Sequence, residues 1–168
     1  MEHWNRQIKL ARYMLLATVI VTVINIACLL GNVDLFISYC ASAPYYLVLL
    51  GKMFDNNWFF GPINGEFTAT GLTMAGVLLG FLLVVWWLSR TRRSWLLVGL
   101  VTIIADLAVL IFLAVKLFEN WLDCFMEAAL HLAVIWEMVQ GLRAWKRKEE
   151  SPAEPMEESE EAPVEEYV

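Results

Sequence analysis

Acidic and imidazole side chains recur at four-residue spacing near the end of the chain. Glu119, Asp123, Glu127 and His131 lie one helical turn apart, so a helix over 119–131 carries all four on one face. Carboxylates together with imidazole suit zinc, manganese, iron and similar ions. Asp106 joins the set by depth. It lies eleven residues into one apolar stretch, about 16 Å along a helix, and His131 lies about ten residues into the next, antiparallel one. The candidate metal ligands are therefore Asp106, Asp123, Glu127 and His131, and a divalent metal ion is the one cofactor they could take. The plainer use of the same residues is a polar network, with His131 hydrogen-bonded to Asp106 and the two helices fixed against each other. A spacing of four is common on any helix, and no HExxH or Ser/His or Cys/His nucleophile motif accompanies it. Ser38, Cys40 and Ser42 could act as nucleophiles, but no spacing supports them.

The elements that must position this face are apolar. The chain is 60% hydrophobic over 168 residues, with a mean hydropathy of +0.59. Ionisable groups in such surroundings are costly toward lipid and turn inward. Four apolar stretches are predicted to span a membrane, over about 13–30, 71–88, 95–117 and 121–142. The fold class is thus an all-α membrane bundle of four transmembrane helices. Residues 1–12 form a basic lead-in with Arg6, Lys9 and Arg12. The first stretch carries Thr18, Thr22 and Asn25 as a polar stripe, of which Asn25 is the strongest candidate for helix packing. Gly76 and Gly80 form a small-xxx-small pair, the second packing candidate.

Residues 33–70 read as an outer cap. The stretch at 35–50 is interrupted by Asp34, Ser38, Ser42 and Pro44 and makes a poor span. Charge bias argues the same way. If this stretch does not cross, ten Lys and Arg gather on one side and only Lys52 and Lys116 on the other, as the positive-inside rule requires. Both termini are then cytoplasmic. The predicted structure is a re-entrant or interfacial helix over about 43–53, with Pro44 in its first turn. The N-terminus is read as retained, since its apolar run is longer than that of a signal peptide.

Nine of the eighteen acids lie in 149–168, which holds no Lys or Arg. Twelve bases face nine acids in the remainder. The tail is predicted to be disordered and cytoplasmic, and the body mildly basic. No basic patch on a soluble domain points to nucleic acid. Cys28, Cys40 and Cys124 form neither a disulfide framework nor a zinc knuckle.

Three function classes fit. The first is a non-enzymatic scaffold, accessory or regulatory membrane subunit, whose partners are the lipid bilayer and a protein partner or a second copy of the chain. The second is a small cation- or proton-handling transporter or channel using the Asp106, Asp123, Glu127 and His131 face. The third is a metal-dependent intramembrane enzyme.

Two stretches carry a resemblance: FISYCASAPYYLVLLG at 36–51 and HLAVIWEMVQGLRAWKR at 131–147, the latter followed by an acidic, Pro-containing tail. With the basic lead-in, they resemble a group of small, uncharacterised four-helix membrane proteins of Gram-positive gut-type bacteria. The resemblance implies topology and a bacterial plasma membrane, and no chemistry. A claudin-like reading lacks the paired loop cysteines, and a tetraspanin reading lacks a long last outer loop.

Overall fold

The structure is a computed structural model. It describes residues 2–56, 65–117 and 121–151, with backbone alone at 2, 114–117 and 121–124. Glu119, the remainder of the outer loop at 57–64, the predicted turn at 118–120 and the tail from 152 onward lie outside the described residues, as do the side chains of Lys116, Asp123 and Cys124.

Five helices and no strand occur among the described residues: α1 (Glu2–Leu30), α2 (Ser42–Asp55), α3 (Glu66–Leu88), α4 (Arg93–Leu117) and α5 (Trp121–Glu150). Each long helix runs past its apolar stretch. The basic lead-in and the first apolar stretch are one continuous helix, and α5 continues through Gly141 to Glu150.

A Schellman-type turn ends α1. Asn32 adopts a left-handed φ of 55°, and the Val33 N–H reaches back to the Cys28 carbonyl at 2.9 Å. Lys52 Nζ, from the last turn of α2, donates to the Leu29 carbonyl (2.5 Å) and to Asn32 Oδ1 (2.6 Å). It thereby strengthens the pairing of a last-turn carbonyl that the Asn32 N–H reaches only at 3.4 Å.

Residues 33–41 then run back along α1 into the bundle. Asn25 pairs with both backbone groups of Ile37, donating to its carbonyl (2.7 Å) and accepting from its N–H (3.0 Å). Thr22 Oγ1 accepts the Ala41 N–H at 2.7 Å, and the Tyr39 hydroxyl donates to the Met14 carbonyl at 3.0 Å. The polar stripe on α1 is therefore a docking rail for non-helical backbone. This backbone cannot satisfy itself and is tolerated in an apolar interior only when covered. Thr22 lies eight residues before the end of α1, so α2 starts about 12 Å below that end.

α2 returns alongside α3, antiparallel and in backbone contact. A Cβ built on Gly51 would lie 2.5 Å from the Phe67 carbonyl oxygen, and one on Gly71 would overlap the Leu47 carbonyl. Asp55 joins the pair at its open end by accepting the N–H groups of Phe67 (3.2 Å) and Thr68 (2.7 Å) in the first turn of α3. Gly76 and Gly80 face away from this contact, and a Cβ on either would meet nothing within 4 Å.

α1 and α5 form the second close pair, with Gly141 packed against Ala11. Lys148 Nζ donates to Asn5 Oδ1 at 3.0 Å, so the start of α1 and the end of α5 share one end of the bundle, here called the near end. The core runs through Leu15, Val19, Leu82, Val85, Leu96, Ile103 and Met138. Large apolar side chains also cover the outside, including Tyr13, Val77, Phe112 and Trp136, all about 60% exposed or more (62%, 68%, 63% and 59%). α1, α3 and α4 each contain a stretch long and apolar enough to cross a membrane: His3–Leu30, Glu66–Leu88 and Arg93–Leu113.

Candidate functional site: a buried polar centre

The start of α2 creates a local demand for acceptors. The first N–H groups of a helix have no intrahelical partner, and the residue before α2 is Ala41, with no side-chain oxygen to cap it. Asp106 supplies the cap from another helix. Its Oδ2 accepts the Ser42 N–H and its Oδ1 the Ala43 N–H, both at 2.7 Å. Ala41 is served by Thr22, and Pro44 has no N–H to place. A carboxylate here also meets the positive end of the helix dipole.

His131 approaches the same carboxylate from α5. Its Nε2 lies 2.9 Å from Asp106 Oδ2, and its Nδ1 lies 2.9 Å from the Glu127 carbonyl one turn earlier. A backbone carbonyl only accepts, so Nδ1 carries a hydrogen. One further proton is then shared between Nε2 and Oδ2. With the proton on nitrogen, the pair is imidazolium and carboxylate; with it on oxygen, both groups are neutral.

Glu127 points at the re-entrant segment from the same face. Its Oε1 accepts from the Ser42 hydroxyl (2.6 Å) and lies 3.9 Å from the Cys40 sulfur. Its Oε2 lies 3.4 Å from the Tyr46 hydroxyl. Asp106, Glu127 and His131 are all buried. The depth matching between Asp106 and His131 read from the sequence is realised as a direct contact. Spacing could not identify their other partners, Cys40, Ser42, Ala43 and Tyr46. The available signals were the Ser42-x-Pro44 helix start and the Thr22–Asn25 stripe, and neither says which distant carboxylate answers it.

The space around this centre is small. A cavity of about 10 Å³ lies among Thr18, Tyr39, Cys40 and His131, enough for about one water. A second, apolar cavity of about 150 Å³ reaches Asp106 between α3 and α4, past Pro44, Leu78, Leu82 and Val109. Ser42 is fully buried, and its hydroxyl is held by Glu127. The geometry therefore gives a substrate no approach to it as a nucleophile. Among the described residues, no three His, Cys, Asp or Glu side chains are arranged to hold a metal ion.

No family model, no curated protein and no solved structure matches the chain. The reading of the centre rests on its own chemistry.

Proposed function

We propose that this chain is a multi-pass integral membrane protein with four spans, α1, α3, α4 and α5, and with residues 33–55 as a re-entrant hairpin entered from the outer side. The near end faces the cytoplasm, because ten of the twelve Lys and Arg belong to that side. The outward apolar side chains suit lipid contact. The proposed location is a bacterial plasma membrane, which the sequence resemblance supports.

In this reading the protein is a non-enzymatic scaffold, accessory or regulatory subunit, and the hairpin presents its outer surface to a protein partner or to a second copy. One observation carries the reading. Every described hydrogen bond from the side chains of Asp106, Glu127 and His131 goes either to one another's residues or to the re-entrant segment. The described side chains of the polar face hold a backbone hairpin in place.

Elemental analysis of the washed, detergent-purified protein tests this, with wild type beside a Glu127→Ala, His131→Ala double variant. The expected result is no stoichiometric metal in either and a lower melting temperature for the variant. A stoichiometric metal present in wild type and lost in the variant overturns the reading. A subunit should also co-purify with a partner or as an oligomer after mild extraction, and a clean monomer would argue against that role.

A second reading, proton handling, is favoured by the proton shared between His131 Nε2 and Asp106 Oδ2 beside a water-sized cavity. Reconstituted vesicles decide it. Proton flux present in wild type and abolished by His131→Gln supports transport, whereas equal leak in both removes it.

A further inference from the structure

We propose that a cleft at the near end binds the phosphate of an anionic glycerophospholipid. This rests on the reading of that end as the inner membrane surface. The cleft has a volume of about 360 Å³ and lies between α1, the α3–α4 connection and α5. Lys9, Arg12, Arg90, Trp145, Lys148 and Glu149 line it. Four cations thus face one acid, and Glu149 already lies 3.7 Å from Arg93. None of the four cations is ion-paired among the described residues.

Three of the four cations are also held in place. Arg12 Nε donates to Ser89 Oγ at 3.2 Å. The guanidiniums of Arg12 and Arg90 lie over the same Trp86 ring, at 5.9 and 5.7 Å, and Arg90 also lies over Trp87 at 5.2 Å. Lys148 is fixed by Asn5. Contact with indole, and for Arg12 the bond from Nε to Ser89, leaves the terminal guanidinium nitrogens for an anion and lowers the ordering cost of binding. Both guanidiniums line the one cleft, and a phosphodiester is an anion whose oxygens match their donors.

The neighbouring surface distinguishes a lipid from other anions. Lys9 also lines an open groove of about 520 Å³ with Asn5, Arg6, Leu10 and Tyr13, and Leu10 and Tyr13 are exposed on the outward face of α1. Along α1 the surface therefore passes from the basic residues Arg6, Lys9 and Arg12 to the exposed apolar side chains of Leu10 and Tyr13, the order of a headgroup followed by the start of an acyl chain. A free phosphate would use the cleft alone. The acidic segment after Glu150 could neutralise it, but that Glu-rich run has little to place along Leu10 and Tyr13.

Native mass spectrometry of the full chain in detergent, titrated with dioleoyl phosphatidylglycerol or dioleoyl phosphatidylcholine, tests the proposal. One phosphatidylglycerol should be retained in preference to phosphatidylcholine. Arg12→Gln with Arg90→Gln should weaken it by about 30-fold, from the usual contribution of two basic side chains at a membrane surface. Lys9→Gln with Lys148→Gln should weaken it similarly, and provides the readout if the arginine variant fails to fold. Arg143→Gln with Arg147→Gln, which alters bases outside the cleft, should leave it unchanged. Equal loss in that control, or equal retention of the two lipids, overturns the site. Displacement of the lipid by 10 mM inorganic phosphate (roughly a hundredfold excess over lipid) assigns the cleft to a free anion and also overturns it. So does lipid binding that appears only after the tail glutamates are changed to Gln, since the tail is then the occupant. A protein that extracts from cells without detergent would instead overturn the membrane reading itself.

Discussion

Asp106 makes three hydrogen bonds at once: two from the first N–H groups of α2 and one with His131. An amide here keeps one acceptor oxygen but sets an NH2 donor against one of the two α2 N–H groups and removes the charge that faces the helix start and the imidazole. Asp106→Asn should therefore destabilise the protein by about 3–5 kcal/mol, the usual result of breaking one side of a buried pair, read from denaturation in detergent. Glu127→Gln should cost less, about 1 kcal/mol, because the amide oxygen still accepts from Ser42. If the two variants melted alike, Asp106 would not be the anchor described here. Asn25 works on the same scale, since one amide matches both backbone groups of Ile37. Both bonds hold the non-helical segment at 33–41 to α1.

Helix contacts separate glycines that look equivalent in sequence. Gly51 and Gly71 are where α2 and α3 touch through their backbones, while Gly76 and Gly80 face open space in this chain. Gly71→Val should force the hairpin apart and cost about 1–3 kcal/mol or more, whereas Gly80→Val should leave the melting temperature of the monomer nearly unchanged. Comparable losses at both positions would mean that Gly80 packs against a second copy. The far end of the α2–α3 pair depends on pH through Asp55. Partial desolvation raises the affinity of its carboxyl for a proton, but hydrogen bonds from the start of α3, at Thr68 and Phe67, outweigh this and hold it below the usual carboxylate range. A group depressed on folding contributes stability that is full above its unfolded value, near 3.9, and is lost as pH falls through the lower folded value. Hydrogen exchange at the Phe67 and Thr68 amides, corrected for intrinsic rate, should therefore stay slow above that range and quicken below it. Asp55→Asn should remove the pH dependence.

At the scale of the molecule, four long helices alternate in direction and the shorter α2 rises only part of the way. The start of α1 and the end of α5 therefore lie together. In the proposed orientation, a cysteine at exposed Glu66 should react with an impermeant maleimide in intact cells. One at exposed Lys146 should react only after permeabilisation, with the native cysteines replaced in both cases. Labelling of both from outside, or of neither, would contradict the four-span topology. The same arrangement places the near-end basic residues beside Trp86, Trp87 and Trp145, a combination suited to a headgroup layer.

Much of this architecture could be read from composition and spacing. Apolar stretches of span length, the breaks at Gly31-Asn32 and at 90–93, the helix start at Pro44 and the common depth of Asp106 and His131 all follow from local chemistry, because each depends on one stretch of chain or on the rise of a helix. Three features needed the tertiary structure. Residues 33–41 enter the bundle because Thr22 and Asn25 can satisfy an extended backbone there. Asp106 turns to α2 because Ala41 leaves its N-terminus uncapped, and Glu127 because the Ser42 hydroxyl needs an acceptor. Gly71, and not Gly80, meets a neighbouring helix because only the relative rotation of α2 and α3 decides which small residue lies between them. Hydrogen-bond demand is local and visible in the sequence, whereas the group that meets it comes from 64 residues away and is chosen by packing.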